Sequence, residues 1–240
     1  MTVKSTSKSA TKSVRQPRLT KPKTVQCEKS AVILERTHDS VNALFRAYDL
    51  ARAQRGKPRG ISTDDEQDLL RAMLVLAAAG LDSMVKQLIR DAMPSLAAAD
   101  SSVSQRLEGF VAKSLGGEPS TPRAVVGSAF LARVLASSSH GEAVIDLYID
   151  HLTGGSLQSS GELQRTAKAL ALTRTKIDQG VLKPIFEIRN KIIHELDIHL
   201  EGDRRKRHHR GLEDMKRISK ILLELAEAIL QEVDDKLSGK

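Results

Sequence analysis

Aromatic side chains are almost absent from this chain: four Phe, two Tyr and no Trp among 240 residues. A core without aromatic bulk has to be filled by aliphatic side chains. Ala and Leu dominate and strand-like runs are few, so the expected elements are helices. Cysteine occurs once, at Cys27. That excludes an intrachain disulfide framework and favours a reducing, cytoplasmic setting. A structural zinc site would want four Cys or His ligands at tight spacing, so Cys27, at the edge of a basic stretch, reads as a chance surface thiol. The longest apolar run, 73–81, is too short to cross a bilayer, and no membrane association is expected. Gly116-Gly117 and Gly154-Gly155 lack the Lys and Ser/Thr of a phosphate-binding loop and read as turns.

Acids are missing from residues 1–26, which hold seven Lys and Arg; the other 214 residues carry 31 basic and 30 acidic groups. Nearly all of the net charge of +8 therefore sits in one Ser/Thr-rich arm with few apolar residues. Such an arm cannot bury enough surface to fold alone, and it suits phosphate contacts. Residues 27–238 are expected to form one all-helical domain. Helical spacing predicts elements over 28–54, 63–93, 103–115, 122–137, 141–152, 163–172, from 182 onward, and Leu212–Leu237. Ser62 and Thr63 each have an acid three residues on, the signature of a capped helix start. The small-residue run Ala77-Ala78-Ala79-Gly80 lets another helix approach closely.

What is present, and unusual, is the hexapeptide Arg189-Asn190-Lys191-Ile192-Ile193-His194 in a segment patterned as a packed helix. Ile185, Ile188, Ile192, Leu196 and, at its edge, Ile193 make an apolar stripe, and Arg189 falls about 40° from Ile185 at 100° per residue. An arginine on a packed face is costly unless it is paired or meets a ligand or partner chain. Histidine supplies a group that takes and gives protons near neutral pH, and arginine a forked donor set for phosphate oxygens. His194 lies about 140° from Arg189, whereas Asn190 lies about 40° from His194. One helix thus separates the two groups. Either the long arginine swings round, or a second copy across a twofold axis completes the site.

The pattern R-N-x3-H resembles the R-x4-6-H motif of HEPN domains, and 80–90 is similar to the corresponding helix of their RiboL-PSP branch. The resemblance implies an all-α, HEPN-like helical bundle with additional helices. It further implies a homodimer with the motif at the interface. The implied activity is metal-independent endoribonuclease cleavage that leaves 2′,3′-cyclic phosphate and 5′-hydroxyl ends, as in toxins with antitoxin partners or anti-phage defence components. On that reading His194 moves the proton in attack by the ribose 2′-hydroxyl, Arg189 stabilises the phosphorane, and Asn190 positions His194 or the phosphate. No cofactor is implied. Some HEPN domains bind RNA or nucleotides without cutting, and a non-catalytic module is the alternative.

Asp82 and Lys86 form an i, i+4 pair. Its plain reading is a solvated pair; the sharper one is that Asp82 supports Arg189. Glu195 adjoins His194 as a further supporting candidate. Arg204, Arg205, Lys206, Arg207 and Arg210 make a basic run, read either as an exposed loop or as an RNA-steering patch. His194 and His199 do not form an H-E-x-x-H zinc motif, because the second histidine comes one residue too late, and no metal is expected.

Overall fold

Thr63 closes the start of the longest helix by reciprocal bonding. Its side chain accepts from the Glu66 amide (3.3 Å), and its own amide donates to the Glu66 carboxylate (3.1 Å). Ser62, the other candidate cap, bonds the Tyr48 hydroxyl and Arg52 instead. The computed structural model describes residues 21–55, 60–116, 123–199 and 206–239. Among them are eight helices: α1 (Val25–Gln54), α2 (Asp64–Ala99), α3 (Ser101–Gly116), α4 (Arg123–Leu135), α5 (His140–Thr153), α6 (Ser160–Ala169), α7 (Gln179–Glu195) and α8 (Leu212–Leu237). The described residues contain no strand, only an isolated antiparallel bridge between Ile198 and Arg207. The chain is all-α, as its composition requires.

α2 is the axis. It packs along α1 and α8 and also touches α3, α5 and α7. Its buried side chains include Leu70, Met73, Leu74, Leu81, Met84, Val85, Leu88 and Ile89. The small-residue centre does what its composition suggests: Gly80 lies so close to α1 that a Cβ there would sit 2.1 Å from Thr37 Cγ2. By length and composition α2 could also cross a bilayer, which the short run 73–81 does not reveal. In this fold much of it is buried as the core helix.

Three boundaries differ from expectation for physical reasons. α2 runs through Pro94 instead of stopping before it. Pro94 is exposed while Ala92, Met93 and Leu96 are buried, so the carbonyl that loses its donor is on the wet side and packing carries the helix on. α7 begins at Gln179 rather than near Leu182 because Asp178 caps it, accepting from the amides of Gly180 (2.8 Å) and Val181 (3.3 Å). The end of the expected arm also belongs to the fold. Lys23 and Thr24 donate their amides to Asp234 of α8, and Cys27, two residues into α1, is fully buried rather than a surface thiol. Burial pushes the Cys27 thiol up to about 11, which keeps it protonated and unreactive. Residues 1–20 of the arm lie outside the described residues.

Three of the six Phe and Tyr residues gather in one place. Phe110 of α3 meets Phe130 edge-on at 6.1 Å and Tyr148 at 5.0 Å. This satellite cluster joins α3, α4 and α5 on the flank of α2. The region between α2 and the motif helix therefore extends the main core, with Val103, Tyr148 and Ile149 buried in it and Phe110 packed against it.

Candidate functional site

α7 is an edge helix that packs on α2 and α6. Leu182, Ile185, Phe186 and Ile192 are buried, Ile188 is partly so, and the opposite side is open. This buried stripe carries Arg189 into contact with α2. Arg189 is half-buried; its Nη1 donates to Asn190 Oδ1 at 2.9 Å, and its Nε is buried with no hydrogen-bond partner among the described residues. Burial lowers the Arg189 pKa from its ordinary value, and the Asp82 carboxylate pulls it the other way. Asp82 thus acts on Arg189 through its charge, while its oxygens bond elsewhere. Oδ1 accepts the Leu157 amide (2.7 Å) and Oδ2 meets Lys86 Nζ (3.0 Å). With side chains 15% and 19% exposed, the Asp82–Lys86 pair is mostly covered rather than solvated.

Asn190, His194 and Glu195 are exposed. Asn190 belongs to Arg189 by its hydrogen bond, but His194 stands on the outer side of the last turn. One chain therefore presents an imidazole and a guanidinium without joining them. Ile193, one turn beyond Arg189 on the same side, is 37% exposed, and Leu196 is 63% exposed. Leu196 was expected inside the apolar stripe. It leaves the stripe because the helix ends at Glu195 and Leu196 turns left-handed, with φ of 51°. The described residues contain no group of three His, Cys, Asp or Glu that could hold a metal ion.

The basic run after the motif divides. Arg204 and Arg205 lie outside the described residues. Lys206 is exposed, and its carbonyl accepts the His199 amide at 2.8 Å. Arg207 donates to the Leu196 carbonyl (3.1 Å) and pairs with Asp68 (2.6 Å). Arg210 is committed inward: its Nε lies 2.9 Å from Asp197 Oδ2, and its Nη2 also bonds that carboxylate. Its guanidinium is therefore engaged by protein, not held out for a phosphate.

Asp197 and Arg71 are the residues that sequence reasoning missed. Asp197 is completely buried, and Arg71 of α2 reaches it at 2.9 Å with only 4% of its side chain exposed. Arg71 also holds Asp68 (3.0 Å) and the His208 carbonyl (2.8 Å). Burial would raise the Asp197 pKa, but hydrogen bonds from Arg210 and Arg71 outweigh it and hold the carboxyl below its ordinary range. The available signal was Arg71 itself, a charge between Leu70 and Met73 on the buried face of α2. The same argument that singled out Arg189 applies there. No family model, curated protein or solved structure matches this chain, so the likeness to HEPN domains rests on the motif residues themselves.

Proposed function

We propose that this chain is a metal-independent endoribonuclease that acts as a homodimer. The observation that carries the reading is Arg189: a half-buried cation whose buried Nε has no hydrogen-bond partner among the described residues, five residues before an exposed histidine at an open helix edge. A buried donor without a partner costs stability in the free protein, and a phosphate oxygen would satisfy it. In the reaction, the His194 imidazole takes the proton of a ribose 2′-hydroxyl as its oxygen attacks phosphorus. The bond to the 5′-oxygen breaks, and that oxygen leaves with a proton from a protonated imidazole. Arg189 stabilises the charge on the phosphorane, and Asn190 steadies the guanidinium. The products are a 2′,3′-cyclic phosphate and a 5′-hydroxyl.

Two copies resolve the separation of imidazole and guanidinium. Exposed Ile193 and Leu196 flank Arg189 and offer apolar surface for a twofold contact that would bring two motifs into one cleft. The separation within one chain also favours the second reading, an RNA-binding module that does not cut. Purified protein with single-stranded RNA in EDTA separates the two. The expected result is cleavage with cyclic phosphate ends, reduced by orders of magnitude in His194→Ala and in Arg189→Ala with helical circular dichroism retained. Activity that disappears in EDTA and returns with magnesium would overturn the mechanism. RNA retention without any cleavage would establish the binding module.

A further inference from the structure

Two consecutive non-glycine residues, Leu196 and Asp197, take left-handed conformations (φ 51° and 59°) directly after the motif helix. L side chains rarely adopt this conformation, and it persists only where the surroundings impose it. Here the surroundings are explicit. The Asp197 amide reaches back to the Lys191 carbonyl at 2.9 Å and closes the last turn of α7, the turn that carries His194. The Asp197 carboxylate is gripped by Arg71 on one side and Arg210 on the other. The Asp197 carbonyl accepts the His208 amide at 2.8 Å, and the His208 carbonyl is held by Arg71. Gln67, one turn before Arg71 on α2, bonds both the amide (2.6 Å) and the carbonyl (3.0 Å) of Arg210. The end of α7 and residues 206–210 are thus joined by direct backbone bonds, and both are anchored to α2 through the buried Asp197 carboxylate, Arg71 and Gln67.

We infer that Asp197, clamped between Arg71 and Arg210, is a positioning residue that fixes the turn carrying His194 and the guanidinium of Arg207 in one geometry. The inference rests on the proposed ribonuclease reading for its catalytic consequence, but not for its structural content. Arg207 donates to the Leu196 carbonyl, so the same left-handed turn that ends the histidine's helix also seats this arginine. A carboxylate is required because both neighbours are permanent cations; an amide of the same shape would leave two guanidiniums with no anion between them and only half-exposed Asp68 beside Arg71.

The test is Asp197→Asn in the full chain, with Arg71→Lys as a second variant that keeps the charge and loses the fork. Three readings are taken: amide hydrogen exchange over residues 194–198 and 206–210, the His194 imidazole carbon–proton resonance, and RNA cleavage. The expected result is lost protection in both stretches and a shifted or broadened His194 resonance. Cleavage should show kcat lowered about a hundredfold with KM nearly unchanged, the size of a misplaced catalytic group. If Asp197→Asn does not fold, Arg71→Lys should show the same pattern in milder form. A lower melting temperature with the His194 resonance and kcat unchanged in the folded variant would overturn the inference and leave the clamp a support only. Wild-type protein that cleaves no RNA but shows the exchange and resonance changes would overturn the ribonuclease reading and leave the positioning role standing.

Discussion

At the scale of single residues, the sequence speaks most clearly where a small or charged side chain is out of place. Gly80 is one such position. A Cβ there would meet Thr37 at 2.1 Å (Cγ2), 2.2 Å (Oγ1) and 2.6 Å (Cβ), and Thr37 is itself tied by its hydroxyl to the Ile33 carbonyl at 2.7 Å. Gly80→Ala would gain about 1 kcal/mol of helix propensity. It would also force α1 and α2 apart, and overpacking of this kind costs about 1–3 kcal/mol. The clash decides the sign because the obstacle is the short, branched side chain of Thr37, which has no free end to swing away. Thermal unfolding should show a lower melting temperature for Gly80→Ala, with partial recovery when Thr37→Ala is added. A melting temperature equal to or above wild type would show that the two helices can separate without loss.

Arg189 and Arg71 make the complementary case. Both interrupt an apolar stripe, and both are explained only by three-dimensional neighbours. Arg189 was legible because a histidine follows it in a familiar pattern. Arg71 was not, because only half-exposed Asp68 is near it in sequence, while its buried partner Asp197 lies 126 positions away and its third contact is the His208 backbone carbonyl. No periodicity encodes a pair of that kind. Truncating one member of such a buried pair typically costs about 3–5 kcal/mol, because the other charge is left uncompensated.

At the scale of elements, the helix inventory was readable from spacing, and the errors fall where a packed face carried α2 past Pro94 and where a cap set the start of α7 at Gln179. Pro94 and Pro184 both sit inside helices because the groups they leave unbonded face water, whereas the neighbouring apolar residues are buried. The segment between α6 and α7 shows a different device. Its amides at Thr173, Arg174 and Thr175 all donate to the buried Glu232 carboxylate of α8. Burial opposes ionisation of Glu232, yet these bonds together hold its pKa at about 2, below the ordinary 4.5. Asp235, one turn on, is also held at about 2, by Lys23 and Arg174. A carboxyl whose folded pKa is depressed contributes stability that is present above its unfolded pKa and lost as pH falls through the folded one. The melting temperature of the wild type should therefore fall between pH 4.5 and 2. Glu232→Gln should cost about 1.5–3 kcal/mol at neutral pH and should flatten that acid limb. An acid limb of the same steepness in the variant would mean that the 173–175 segment is not secured by this charge.

At the scale of the whole molecule, α7, like α3 and α4, is left incompletely covered. α1, α2 and α8 bury one another, and the α3–α5 group covers another flank of α2. α7 rests on α2 and α6 and leaves Val181, Ile193 and Leu196 exposed, at 42%, 37% and 63%. Single exposed aliphatics are ordinary, but Ile193 and Leu196 adjoin Arg189, whose Nε is buried with no hydrogen-bond partner among the described residues. A twofold contact through this surface would bury both residues and set the two Arg189–His194 motifs against each other, which one chain by itself does not do. Sedimentation should then report a dimer at micromolar concentration. Ile193→Glu, placing a charge at the centre of that contact, should give a monomer with the same helical content and almost no cleavage, because Arg189 and His194 would remain intact but apart. Mixing His194→Ala with Arg189→Ala supplies the complementary reading. Each variant lacks one member of the pair, and a shared cleft would restore part of the activity in the mixed dimer. Full activity from a strictly monomeric Ile193→Glu protein would contradict the shared cleft and require the Arg189 side chain to reach His194 within its own helix.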